Sequence, residues 1–231
     1  MSPYSKVRVL FEDNHLLVVN KPPLLPTMGV GEDDASLYRW AKDYIKKKYN
    51  KPGNVYIGIV SRLDSFTSGV IVLARTSKAA SRLSDQLRRG IVGKKYVALI
   101  SPGLKPETGR LDDRVVKNES RHRMEVVNPE AKKVTGEKNA SLRYSTILQK
   151  NDFQVLEIEL ETGRKHQIRV QLENAGFPIL GDQKYGSPGK FPRGIGLHCF
   201  QLSFEHPTLR TVQSFQADPP EWWPIQPFEN S

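Results

Sequence analysis

Cysteine is nearly missing from this 231-residue chain, which has one, Cys199. A single thiol excludes an intramolecular disulfide framework, and no Cys/His cluster has metal-ligand spacing. A reducing compartment is therefore expected, with no structural zinc or other metal site. Long apolar runs are also lacking. The first eight residues are polar, unlike a signal-peptide core, and the longest hydrophobic stretches fall far short of the roughly 20 residues that span a bilayer. A soluble, cytoplasmic protein is expected. Familiar phosphate and hydrolase signatures do not occur either. Gly176 and Gly181 have phosphate-loop spacing, but Asp182 stands where that loop needs a lysine and would repel phosphate. There is no G-x-S-x-G elbow, no internal repeat and no low-complexity tract.

Negative charge is in deficit, with 25 acidic residues against 35 Lys and Arg and a net charge of +10. Such a balance suits a polyanionic partner, because Lys and Arg contacts to phosphate release counterions. No helix sets a strong apolar face against a basic one, so nucleic acid is favoured over a membrane surface. Charge alone does not separate RNA from DNA.

What is present can build a core: 38% of the residues are hydrophobic, enough for one domain spanning residues 1–231. Val7 to Phe11 and Leu16 to Val19 read as a hairpin that must end at Pro22 and Pro23. Ser36 to Tyr49 and Ser77 to Arg89 carry apolar residues at helical spacing, the second stopped by Gly90. Lys95 to Ile100, Ala140 to Leu148, Phe153 to Glu161 and Leu197 to Phe204 read as strands, and His166 to Ala175 as a third helix. Many strands with few helices point to an α+β fold, a mixed and largely antiparallel central sheet flanked by helices and loops, rather than a doubly wound one. Basic residues cluster at the end of the second helix and the entrance of the next strand: Arg88, Arg89, Lys94 and Lys95. Clustered cations beside Tyr96 suit RNA, though a solvated face fits equally.

Ser61-Arg62-Leu63-Asp64-Ser65-Phe66-Thr67-Ser68-Gly69 is a polar turn between two β-branched runs, Val55 to Val60 and Val70 to Leu73. The flanking runs read as buried strands, which would present Asp64 from a strand end. Taken alone, such an Asp is more often a turn residue whose carboxylate caps backbone N–H groups.

Several segments, in order, resemble the RluA-type pseudouridine synthases. Arg62 to Gly69 is similar to their R-L-D-x-x-T-S-G signature. Leu16-Leu17-Val18-Val19-Asn20-Lys21-Pro22 resembles their opening motif, Lys95-Tyr96-Val97-Ala98-Leu99 their tyrosine motif, and Thr162-Gly163-Arg164-Lys165-His166-Gln167-Ile168-Arg169-Val170 their T-G-R-x-H-Q-I-R motif. Pro178 to Asp182 and His206-Pro207 match later landmarks. The resemblance covers nearly the whole chain. Two positions depart from it: Ser61 replaces the usual His before Arg-Leu-Asp, and Gln171 replaces the His after Arg-Val.

The resemblance implies an isomerase that detaches uracil from ribose in a tRNA or rRNA stem-loop and rejoins it through carbon, without a cofactor. It implies one catalytic domain with no appended N-terminal RNA-binding domain, acting as a monomer with no protein partner. Asp64 would be the catalytic carboxylate, attacking the ribose or the ring or promoting a glycal. A carboxylate is chemically suited to an electron-poor anomeric centre. Tyr96 would stack on the target base and can take its ring proton; alone it would read as a tyrosine packed in a strand. Arg169 would pair with Asp64; its plainer reading is an i, i+4 contact to Glu173. Arg62 would fill the gap left by the flipped base, which must leave the stack to be reached. Arg164 and His166 would support the site or touch RNA. A non-catalytic RNA-binding or chaperone protein retaining the fold is the alternative, as is a glycosidase, which would need a second carboxylate near Asp64.

Overall fold

A computed structural model describes residue 4 and residues 6–29, 31 and 34–225. These fall into two compact units, the first made of the segments 1–94 and 198 onwards, the second of residues 95–197. The architecture is α+β, with three helices and largely antiparallel strands.

In the first unit, β1 (Arg8–Glu12) and β2 (Leu16–Lys21) form the expected hairpin, with an irregularity in register between Val9 and Phe11. Asp13 closes its turn by accepting the N–H groups of His15 and Leu16 at 2.8 and 2.6 Å. Helix α1 (Leu37–Lys48) starts where Ser36 Oγ accepts the Arg39 N–H, as an N-cap should. Its C-terminal lysines complement the helix dipole, and Lys48 also reaches Glu12 at 2.6 Å. The expected strand from Val55 to Val60 is reduced to the two residues of β3 (Gly58–Ile59). Strand β4 (Ser68–Ala74) is buried along its whole length, and α2 (Ser77–Arg88) follows, capped by Thr76 and ended by Gly90 at φ +71°. Ala79 and Leu83 of α2 pack on Leu16, Val18, Val70 and Val72, which explains why a continuous apolar run was needed in β4. Strands β10 (Leu197–Glu205) and β11 (Val212–Gln216) come from the far end of the chain. β2 pairs antiparallel with β4, and β10 joins β4 in parallel, with His198 opposite Ser68 and Cys199 opposite Gly69.

In the second unit, strand β5 (Gly93–Ile100), whose first two residues belong to the first unit, pairs with β9 (Gln154–Leu160), β9 with β8 (Lys138–Gln149), β8 with β6 (Thr108–Asn118), and β6 with β7 (Arg123–Val126), all antiparallel. The basic stretch 101–139 thus contains a long hairpin, β6 and β7. Helix α3 (Gln167–Asn174) begins one residue later than its periodicity suggested, because His166 sits in the left-handed region at φ +53°. It packs Val170 against Val115, Met124, Ala140 and Tyr185.

Candidate active site

In the first unit, Asp64 does not leave a regular strand as expected. It lies in an irregular segment between β3 and β4, half-buried, with its carbonyl accepting the Thr67 N–H at 3.1 Å. Two groups, one at the end of β2 and one in the loop that follows it, hold this segment. Thr27 Oγ1 donates to the Leu63 carbonyl at 2.8 Å and accepts the Leu63 N–H at 3.2 Å. Lys21, fully buried, donates through Nζ to the carbonyls of Pro22 at 2.9 Å, Leu25 at 2.8 Å and Ser65 at 3.4 Å. Burial pulls its ammonium down to about 7, an effect opposed by the nearby Asp64 carboxylate. The Asp64 segment is therefore fixed by backbone contacts and feels a buried amine. In sequence Lys21 is only part of the opening motif, since nothing in a Lys-Pro-Pro run shows that its lysine turns inward.

After the turn, Gly69 has φ +123°, and a Cβ there would lie 2.2 Å from the Cys199 carbonyl oxygen. Only glycine allows β10 to approach so closely. Beside it, buried His198 lies 2.8 Å by Nδ1 from Ser68 Oγ and 2.8 Å by Nε2 from the Ala217 carbonyl. A carbonyl only accepts, so Nε2 carries the proton and Nδ1 accepts from the serine. Burial drives the imidazole down to about 4, aided by Lys21 and opposed by the Ala217 bond. It is a neutral strut.

The other first-unit candidates lie on the surface or near it. Arg62 is exposed. Arg88 and Arg89 are exposed and both reach Asp85, at 2.8 and 3.5 Å. Lys94 is half-buried, and burial lowers its pKa.

In the second unit, Tyr96 is buried in β5 opposite Ile158, while Lys95 is partly exposed and bridges to Glu157 at 3.1 Å. Arg169 is buried and grips Asp182 with two hydrogen bonds, Nε to Oδ2 at 2.6 Å and Nη2 to Oδ1 at 2.8 Å. Its guanidinium carbon also stands 4.9 Å from the centre of the Tyr185 ring. The Tyr185 hydroxyl accepts the Met124 N–H at 3.1 Å and contacts His166 Nδ1 at 2.8 Å. One cluster thus unites Arg169 and His166 through Tyr185 and Asp182, neither of which was chosen from sequence. Glu173, the plainer partner considered for Arg169, instead bridges to Arg123 at 3.0 Å. Arg164 is exposed and donates to the Asn139 carbonyl at 2.8 Å, while its N–H is held by Gln167 Oε1 at 2.9 Å.

No group of three or more His, Cys, Asp or Glu able to hold a metal ion occurs among the described residues. No helix among them is long and apolar enough to cross a membrane.

Comparison with known proteins gives this geometry its context. Residues 15–174 match the family model described as RNA pseudouridylate synthase. The chain belongs to the RNA pseudouridylate synthase family. Within that family it is 33% identical over 224 residues to an uncharacterized RNA pseudouridine synthase of Helicobacter pylori strain 26695, covering 92% of this chain and 66% of that protein. It is 29% identical over 228 residues to ribosomal large subunit pseudouridine synthase D of Yersinia pestis, covering 92% of this chain and 67% of that one. The chain spans about two thirds of the length of the curated relatives it matches. In fold, it superposes with a TM-score of 0.76 on human RNA pseudouridylate synthase domain containing 4, at 24% identity over 93% of this chain and 89% of that one. Human RNA pseudouridylate synthase domain containing 1 gives the same TM-score at 21% identity, over 95% and 87%.

The two departures from the commonest pseudouridylate synthase pattern have structural homes. Gln171 is fully buried, its Nε2 donating to Asp113 Oδ2 at 2.8 Å and to the Leu111 and Ala140 carbonyls at 3.1 Å each, so it staples α3 to β6 and β8. Ser61 lines a small apolar crevice with Val60, Val72, Leu83 and Phe204.

Proposed function

We propose that the protein converts uridine to pseudouridine in a structured tRNA or rRNA segment. In that reaction the bond from ribose C1′ to uracil N1 breaks and a bond from C1′ to C5 forms. The C5 proton is lost and N1 gains one, so atoms balance without a redox partner. The observation that carries the reading is the family match over residues 15–174, which contains Asp64 on a turn fixed by Lys21 and Thr27. A half-buried carboxylate on an immobilised segment is pre-positioned to stabilise or trap an electron-poor anomeric carbon, which is where rigid support raises a rate.

Asp64 is proposed as the reacting carboxylate. Tyr96 is proposed to stack on the target base and remove its C5 proton. Arg169 contributes a fixed positive charge. The net charge of +10 supplies sequence-independent affinity for the phosphate backbone, to which exposed Arg62, Arg88, Arg89 and Arg164, with Lys94, Lys95 and His166, are proposed to add.

Transcripts of large-subunit rRNA and of tRNAs, tritiated at uridine C5, test the reading. The rRNA is tried first because relatives are named for the ribosomal large subunit. Tritium release that maps to pseudouridine and is abolished by Asp64→Ala is the expected result. Salt-sensitive RNA binding with no release from any transcript, or from RNA of cells lacking the protein, would make it a binding protein that keeps the fold.

A further inference from the structure

The two loops that meet at Asp64 are fastened at two points. Lys21 Nζ holds the carbonyls of Leu25 and Ser65, and Thr27 Oγ1 holds both backbone groups of Leu63. Residues 25 and 27 therefore face residues 65 and 63, so segments 24–28 and 62–66 run side by side in opposite directions. Pro26 and Asp64 lie at the middle. Leu25, Thr27 and Leu63 are buried and Pro26, Asp64 and Ser65 half-buried, whereas Leu24, Met28, Arg62 and Phe66 are exposed. Leu24 and Met28 each adjoin one of the buried anchors Leu25 and Thr27, and Arg62 and Phe66 adjoin Leu63 and Ser65, which gathers these exposed side chains around the half-buried carboxylate.

Three of the four are large and apolar: Leu24 is 54% exposed, Met28 49% and Phe66 47%. Leu24 is also held at φ +65°, in the left-handed region that a Cβ disfavours. A strained leucine that is also left in water gains little from its position in the free protein, and backbone outliers of this kind concentrate at ligand sites. We propose that Leu24, Met28 and Phe66 form an apolar rim around Asp64 on which the unpaired RNA bases flanking the reacting uridine stack. The proposal rests on the pseudouridine synthase reading and adds how the RNA is seated. Unstacked bases offer flat apolar faces that pack on such side chains, while a duplex keeps those faces covered. Exposed Arg62, two residues before Asp64, and the chain's net charge of +10 suit a polyanion better than an apolar protein segment. The rim therefore selects uridines in loops and bulges.

Fluorescence anisotropy at fixed salt compares a 5′-labelled 12-nucleotide single strand of mixed A and U with a 12-base-pair duplex. Phe66→Ser is expected to weaken single-strand binding about tenfold, and Leu24→Gly by a smaller factor, with duplex binding unchanged. Leu24→Gly should melt no lower than the wild type, because glycine accepts φ +65°. Leu209→Ser is the control: Leu209 is 64% exposed, but it follows β10 at the end away from His198, about 23 Å along the strand from the Ser68 pairing. Equal losses on single strand and duplex, no loss on either, or the same loss in Leu209→Ser would overturn the rim. Selective loss of single-strand binding in a protein that releases no tritium from any RNA would support the rim and defeat the synthase reading. Tritium release with binding untouched by every rim variant would do the reverse.

Discussion

Replacing Asp182 with asparagine keeps the shape of its side chain and removes its charge. Arg169 would then stay buried, with two donors still aimed at a group that can no longer carry the counter-charge. Removing one member of a buried ion pair typically costs about 3–5 kcal/mol, whereas exposed pairs contribute about 1 kcal/mol or less. The Tyr185 ring lies 4.9 Å from the guanidinium carbon and remains in place. Its attraction for a desolvated cation, about 1–2 kcal/mol, puts the expected loss near the lower bound, about 3 kcal/mol. With a urea slope of about 1–3 kcal/mol per molar, the unfolding midpoint should fall by roughly 1–3 M. Urea titration followed by far-ultraviolet circular dichroism measures this for Asp182→Asn, Arg169→Met and the double variant Arg169→Met/Asp182→Leu. The double variant should recover part of the loss, since it leaves no buried charge unpaired. A loss under about 1 kcal/mol for Asp182→Asn, with an unchanged slope, would show that the pair is not the buried bridge described.

His198 gives a pH signature. Its native pKa is about 4 against about 6.5 when unfolded, so between those values the unfolded chain binds a proton that the native one refuses. Stability should be fully present above pH 6.5 and fall by about 3 kcal/mol as pH drops to 4, measured by urea unfolding across that range; in His198→Gln this component of the slope should vanish. Gly69→Ala would set a Cβ 2.2 Å from the Cys199 oxygen and 2.5 Å from its nitrogen, both backbone atoms. It should cost more than about 4 kcal/mol or give no soluble protein, and should expose Cys199 to thiol reagents. Gly90→Ala also has positive φ but no atom within 4 Å of the new Cβ, so a thermal melt should show a loss of only about 1–2 kcal/mol.

Local chemistry made much of the fold legible. Helices α1 and α2 end where their caps and Gly90 direct, because those signals act over three or four residues. The apolar run Val55 to Val60 misled, since only two of its residues find a partner on β4. A strand needs an edge to pair with, and sequence does not show which edges remain open. Asp64 was legible through its motif. Its supports were not: Lys21 and Thr27 act on backbone groups 44 and 36 residues away, and His198 on a serine hydroxyl 130 residues away, relations that leave no spacing to read. Asp182 has the wrong charge for phosphate, yet that charge is what Arg169 requires.

The first unit takes strands from both ends of the chain, with residues 95–197 interposed. Its parallel pairing, His198 beside Ser68, spans 130 residues. During synthesis at about 5–20 residues per second, β4 would wait roughly 6–26 s for β10. In that interval the start of one edge of a fully buried strand lacks its neighbour, a state open to pairing with other chains. The pairings of β5 with β9, β9 with β8, β8 with β6 and β6 with β7 are contiguous in sequence and need nothing encoded after residue 160. The order of translation thus favours the later-encoded unit closing first, leaving the unit that carries Asp64 as the last part of the molecule to form.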